Sequence, residues 1–113
     1  MVVHGFDEEA ADRVFHALAN ATRRDILRRS FETDLSVSQL AEAYDMSFAA
    51  VQKHVAVLER AGLVSKENQG RERLVKAEAG KLLWARQALD DLEVTWRERV
   101  DQMSDLLAGD SGQ

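Results

Sequence analysis

Residues 47–64 read SFAAVQKHVAVLERAGLV. The stretch opens on a serine, whose hydroxyl can cap the first free N–H groups of a helix. It closes on Gly62, the residue type that ends helices in a left-handed conformation. Between them, Val51, Val55 and Leu58 recur at helical spacing and predict a buried face. Ser47, Ala49, Ala50, Gln52, Lys53 and Ala56 lie away from that face. Small residues let a backbone approach a groove floor, and an alanine methyl can touch thymine. Glutamine can pair bidentately with adenine, and lysine reaches guanine or a phosphate. The plainer reading of this surface is the solvated side of a core helix.

Upstream of this helix, Ser36 precedes Gln39 at the spacing of a capping box, which predicts a short helix through about Tyr44. Only Asp45 and Met46 then separate it from Ser47. Two helices so closely joined predict a helix-turn-helix whose second member reads DNA. Downstream, LVSKEN and RERLVKA flank QG, a hairpin signal with glycine in the loop. A hairpin directly after a recognition helix is a wing.

Residues 7–19 predict a helix with acids in its first turn and with Ala11, Val14, Phe15 and Leu18 at helical spacing. Residues 21–32 predict another, capped by Asn20, with Ile26, Leu27 and Phe31 on one side. Residues 78–107 predict one long helix. Its Leu82, Leu89, Leu92, Trp96, Val100, Met103 and Leu107 follow at intervals of 7, 3, 4, 4, 3 and 4, close to a heptad seam. At 1.5 Å per residue such a helix spans roughly 45 Å, longer than a small domain is wide, so part of the seam is expected to face another chain. The fold class is therefore mainly α with a small β-hairpin. One winged helix-turn-helix domain is expected over 1–108, with a long C-terminal dimerisation helix, and 109–113 are expected as a disordered tail.

Composition narrows the function. The 113 residues suit one domain with a core of its own, and 31% charged against 45% hydrophobic residues is ordinary for a soluble globular chain. There is no cysteine, which excludes disulfides and thiolate metal sites and suits a reducing, cytoplasmic setting. No apolar run reaches membrane-spanning length, and no signal peptide is expected. The chain is acidic, with pI about 5.2, yet its charge is unevenly placed. Residues 1–46 carry 5 Lys/Arg against 9 Asp/Glu, residues 47–76 carry 6 against 3, and residues 77–113 carry 4 against 8. Distribution rather than net charge decides whether a polyanion binds. The one cationic block holds the opening helix and the wing.

VFHALANATRRDIL at 14–27, LSVSQLAEAYDMS at 35–47, AVQKHVAVLERAGLV at 50–64 and GRERLV at 70–75 together carry a family likeness over nearly the whole chain. The chain resembles the ArsR/SmtB family of winged-helix bacterial repressors. The resemblance implies a homodimer paired through its first and last helices. It also implies binding to an inverted-repeat operator near a promoter, often the repressor's own. Metal-sensing members carry a cysteine motif on the first helix of the helix-turn-helix, or Asp and His ligands along the last helix. Here the first reads SVSQLAEAY, and the last has acids but no histidine. The ending VTWRERVDQMSDLL looks like a subgroup without those ligands, so no metal and no cofactor are expected.

The DNA-binding candidates are Ser38, Gln39, Ser47, Ala49, Ala50, Gln52, Lys53, His54, Lys66, Arg71 and Arg73. Ser38 and Gln39 open the first helix of the pair, where a backbone N–H and a side chain can hold phosphate; ordinary capping is the other reading. Arg71 and Arg73 share one side of an alternating strand, and one at the loop can enter a minor groove. Lys66 and Lys76 can add contacts to the DNA backbone. The competing reading is a hairpin bridged through Glu67 and Glu72. His54 stands where the family often has histidine, as a packed or phosphate-touching ring. Phe48 is expected as a buried staple rather than a groove wedge. At least one of Arg23 and Arg24 is expected as a structural ion-pair partner rather than a DNA contact, His16 is expected to pair with Asp12 one turn before it, and His4 is expected in a mobile end. The dimer candidates are Phe15, Leu82, Leu89, Leu92, Trp96, Val100, Met103 and Leu107, with Trp84 beside them in the dimer core.

Three functions compete. The first is a homodimeric repressor that binds double-stranded DNA. The second is a winged-helix module that pairs proteins and ignores DNA; it calls for larger apolar side chains where Gln52 and Lys53 stand. The third is an enzyme, for which the chain offers no nucleophile elbow, phosphate loop or metal-ligand set. The sequence names no small-molecule inducer.

Overall fold

The structure, a computed structural model, describes residues 8–111, with the side chains of 110 and 111 left aside. His4 and the last two residues of the expected tail lie outside the described residues. The elements are α1 (Glu8–Leu18), α2 (Ala21–Glu32), β1 (Leu35–Ser36), α3 (Val37–Ala41), α4 (Phe48–Arg60), β2 (Val64–Gln69), β3 (Glu72–Ala77) and α5 (Ala79–Ser111). They fall into two compact units, residues up to Leu83 and residues from Trp84 on.

The first unit is the winged helix. Val14 and Ala17 of α1, Ile26 and Leu27 of α2, Leu40 of α3, and Val51, Val55 and Leu58 of α4 form its core with Leu63, Val64, Leu74 and Val75. The three α4 residues read from the opening stretch are all fully buried. Each predicted cap is present. Asn20 accepts from the N–H of Arg23 at 3.0 Å. Ser36 and Gln39 close a reciprocal capping box at 3.1 and 2.9 Å. Ser47 accepts from the N–H of Ala50 at 3.1 Å.

α4 ends as its glycine predicts. Gly62 has φ +78°. Its N–H donates to Glu59, and the N–H of Leu63 reaches back to Leu58, both at 3.0 Å, the two bonds of a Schellman turn. A Cβ at Gly62 would meet Cγ of Lys81 at 3.1 Å, so the position is constrained by space as well as by φ.

Several features differ from the sequence reading. α3 stops at Ala41 rather than near Tyr44, leaving residues 42–47 as the connection to α4. The hairpin loop is Gly70-Arg71, because Gln69 still pairs with Glu72. A third strand, β1, pairs antiparallel with β3 through Leu35–Val75 and Ser36–Leu74, so the sheet order is β1-β3-β2. Two residues are too few for any alternation to announce, and the Ser36 cap signal covers the same place. α5 runs on to Ser111, past the expected end at 107.

The second unit is the bulk of α5, a helix of 33 residues in all. Leu89, Leu92, Trp96, Val100, Met103 and Leu107 of the seam are 37–69% exposed, while Leu82, in the first unit, and Trp84 are half-buried. No described helix is long and apolar enough to cross a membrane.

Candidate nucleic-acid interface

α3, the N-terminal half of α4 and the wing surround an open groove of about 310 Å³. Its walls are Ser36, Val37 and Ser38 from α3 and its cap, Phe48 and Gln52 from α4, and Lys66, Arg71, Glu72 and Arg73 from the hairpin. Five residues singled out from sequence converge here: Ser38, Gln52, Lys66, Arg71 and Arg73. β1 makes this convergence possible. Ser36 is at once the N-cap of α3 and the sheet partner of Leu74, so the helix pair and the wing share a residue.

The cations are not equivalent. Lys66 is mostly buried, with Nζ 3.7 Å from the Glu59 carboxylate. Lys76 pairs with Glu67 at 3.0 Å and with Asp34 at 3.7 Å. The bridged reading of the hairpin therefore holds at its base, through Lys76 and not through the arginines. Arg71 and Arg73 are exposed, and their side chains make no hydrogen bond or ion pair to any described residue. Arg71 occupies the loop itself, so the shared strand face expected for the two arginines does not form. Gln52 and Lys53 are likewise exposed on α4, while Ala50 and Ala56 are half-buried.

Other candidates lie off the groove. Gln39 commits its Oε1 to the N–H of Ser36. His54 turns to the interior, its Nδ1 3.4 Å from Nη1 of Arg23. Burial and that neighbouring guanidinium push the His54 pKa below its ordinary value, which favours a neutral ring. Ser47, Ala49, Ala50 and Lys53 are not among the groove residues.

Three expectations about arginine and phenylalanine need correcting. Arg23 is not an ion-pair partner. It is buried and donates from Nε to the carbonyl of Ala17 and from Nη2 to that of His16, each at 2.8 Å. Arg24 donates to the carbonyl of Leu18, also at 2.8 Å. Together they satisfy carbonyls that the end of α1 leaves without helical partners. Phe48 is not a buried staple, being 48% exposed at the groove. Phe31, expected on the packed side of α2, is also exposed.

A cluster that the sequence did not announce holds the turn before α4. Tyr44 donates to Oδ2 of Asp25 at 2.5 Å, and Arg29 donates to the same oxygen at 2.9 Å. Arg28 bridges Asp25 and Glu32. The Arg29 guanidinium lies 5.6 Å from the centre of the Tyr44 ring. The Tyr44 hydrogen bond and the two arginines hold the Asp25 carboxyl far below its usual range. Burial and the Asp25 carboxylate push the Tyr44 hydroxyl up to about 12.

Comparison with known proteins agrees with this architecture. The family model for bacterial regulatory proteins of the arsR family matches residues 20–66. The HTH-type transcriptional regulator Rv2034 of Mycobacterium tuberculosis is 37% identical over 79 residues, covering 70% of this chain and 74% of the relative. The chain belongs to the ArsR family. Among solved structures, an ArsR-like transcriptional regulator from Rhodococcus sp. RHA1 superposes with a TM-score of 0.82 at 29% identity, covering 89% of this chain and 93% of that one. The homodimeric winged helix-turn-helix DNA-binding domain Mb0332 from Mycobacterium bovis gives a TM-score of 0.61 at 25% identity, covering 77% and 80%. As an ArsR member the chain is a transcriptional regulator with a winged helix-turn-helix DNA-binding domain, and its relatives are regulators rather than enzymes.

Proposed function

We propose that the chain is a homodimeric repressor that binds an inverted-repeat operator, with α4 in the major groove and the Gly70-Arg71 loop beside it in the minor groove. The observation that carries this reading is the groove in which Ser38, Gln52, Arg71 and Arg73 meet. Both arginines are exposed and uncommitted there, which is the arrangement that phosphate neutralisation needs. Gln52 reads a base edge, and Lys53 takes guanine or a phosphate on the same helix. Ser38 and the N-terminal backbone of α3 hold the flanking phosphate; Ser47, Ala49 and Ala50 line the close approach of α4. Gln39 contributes through its cap, His54 supports α4 from behind, and Lys66 adds charge behind the arginines.

The homodimer rests on the exposed seam of α5 and on the homodimeric Mycobacterium bovis domain. Phe15, Leu82, Leu89, Leu92, Trp96, Val100, Met103 and Leu107 bury one another across a twofold axis. Two α4 helices then enter successive major grooves about 34 Å apart. The acidic remainder of each protomer repels DNA and so orients the encounter. The test is fluorescence anisotropy against duplexes selected from a random pool, repeated over a salt series. A salt-dependent, sequence-selective complex of two chains per duplex supports the reading. Equal binding to every duplex, or to none at low salt, removes it.

A further inference from the structure

Phe48 is the feature of the groove that neither charge neutralisation nor hydrogen-bond readout uses. It is the first residue of α4, directly after the Ser47 cap, and 48% of it is exposed. Gln52 stands one helical turn later, and both line the same groove. A ring left half in water beside Arg71, Arg73 and Lys66 is poorly placed for an apolar protein partner, because docking such a partner would strip water from the nearby cations. A polyanion with an apolar group at its edge suits all of them together. In the major groove that group is the C5 methyl of thymine, the one apolar feature of the four bases there. The N-terminal residues of a recognition helix are those that reach base edges.

Resting on the DNA-binding reading above, we propose that Phe48 is a specificity-determining residue whose ring packs on a thymine methyl in each half-site. The neighbouring Gln52 accounts for the hydrogen-bonding edge of an adjacent adenine. The pair would read a step of adenine and thymine, Gln52 through polar atoms and Phe48 through shape and hydrophobic contact.

The experiment uses the full chain and a duplex selected from a random pool by the wild-type protein. Each thymine is replaced in turn by deoxyuridine, which deletes only the methyl, and affinity is measured by anisotropy. The wild type should lose about 3–5-fold at one position per half-site, the scale of one buried methyl group. Phe48→Ala should bind more weakly and show no difference between thymine and deoxyuridine at that position. Phe48→Leu should keep part of the difference. 5-Methylcytosine paired with guanine there should recover the methyl contact relative to cytosine in the wild type alone. Equal discrimination by wild type and Phe48→Ala, or no thymine preference in the wild type, overturns the assignment while leaving DNA binding intact. A Phe48→Ala chain whose sedimentation changes and whose discrimination does not would place the ring at a protein interface instead. Failure of the wild type to select any duplex defeats the DNA-binding reading, and this assignment with it.

Discussion

Arg23 of α2 places Nη1 3.4 Å from Nδ1 of His54 on α4 while its Nε and Nη2 hold the last carbonyls of α1. One guanidinium thus joins the end of α1 to the back of the recognition helix. Its removal leaves the Ala17 carbonyl and a ring nitrogen without their donor, while the His16 carbonyl keeps only the N–H of Ala19 at 3.1 Å. Arg23→Ala should lower the unfolding free energy by about 3 kcal/mol, measured by urea denaturation. Lysine cannot reproduce the planar fork, so Arg23→Lys should recover only part of that loss.

His54 adds a pH dependence. Its folded pKa lies below the ordinary 6.5, so the unfolded chain takes up the proton first as pH falls. The contribution to stability is complete above pH 6.5. It is lost progressively below that value, down to the lowered folded pKa. Thermal denaturation of the wild type should therefore show a falling midpoint from pH 7 to 5, and His54→Gln should flatten that slope. An unchanged slope in the variant would remove His54 from the account.

Asp25 and Tyr44 govern the turn that precedes α4. Tyr44→Phe removes a hydrogen bond to a carboxylate and should cost roughly 1–2 kcal/mol by the same denaturation measurement. The folded pKa of Asp25 is depressed, so its contribution is present above about pH 4 and lost as pH falls through the folded value. Asp25→Asn should make the chain less stable at neutral pH and less sensitive to acid below pH 4.

DNA binding should separate the residues proposed to neutralise phosphate from the one proposed to read a base. Arg71→Ala and Arg73→Ala should each reduce the slope of log affinity against log salt by about 1, with little change in sequence preference. Gln52→Ala should instead cost about 1–3 kcal/mol on the selected duplex and far less on unselected DNA. The check is one anisotropy titration series run on both duplexes.

The seam of α5 gives a prediction about assembly. Trp96 is 65% exposed and Leu92 68% exposed in the single chain. Placing a charge on such a face should separate the protomers of the proposed homodimer. Leu92→Glu should sediment as a single chain at concentrations where the wild type sediments as two, and should bind the selected duplex far more weakly.

Most of the winged helix is legible in the sequence because its signals are local. Ser36, Ser47 and Gly62 act within a few residues of themselves, and Val51, Val55 and Leu58 declare one face of one helix. The parts that escape reading depend on distant partners. Leu35 and Ser36 become a strand only because Leu74 and Val75 lie beside them. Asp25 and Tyr44 are 19 positions apart, and Arg23 and His54 are 31 apart. Arg71 moved into the loop because the hairpin kept the Gln69–Glu72 pair, a register that the QG signal alone does not fix. Phe48 reads as apolar and therefore inward, yet it is 48% exposed, and the buried face of α4 is made by Val51, Val55 and Leu58 instead. The α5 seam shows its periodicity plainly, but an exposed stripe gains its meaning only from a second molecule.

Ser36 serves two masters, since its side chain starts α3 and its backbone belongs to the wing sheet. Any inducer that tilts the helix pair must drag the hairpin with it. Release from an operator would then be concerted, with helix and loop leaving the duplex in one step instead of peeling off in turn.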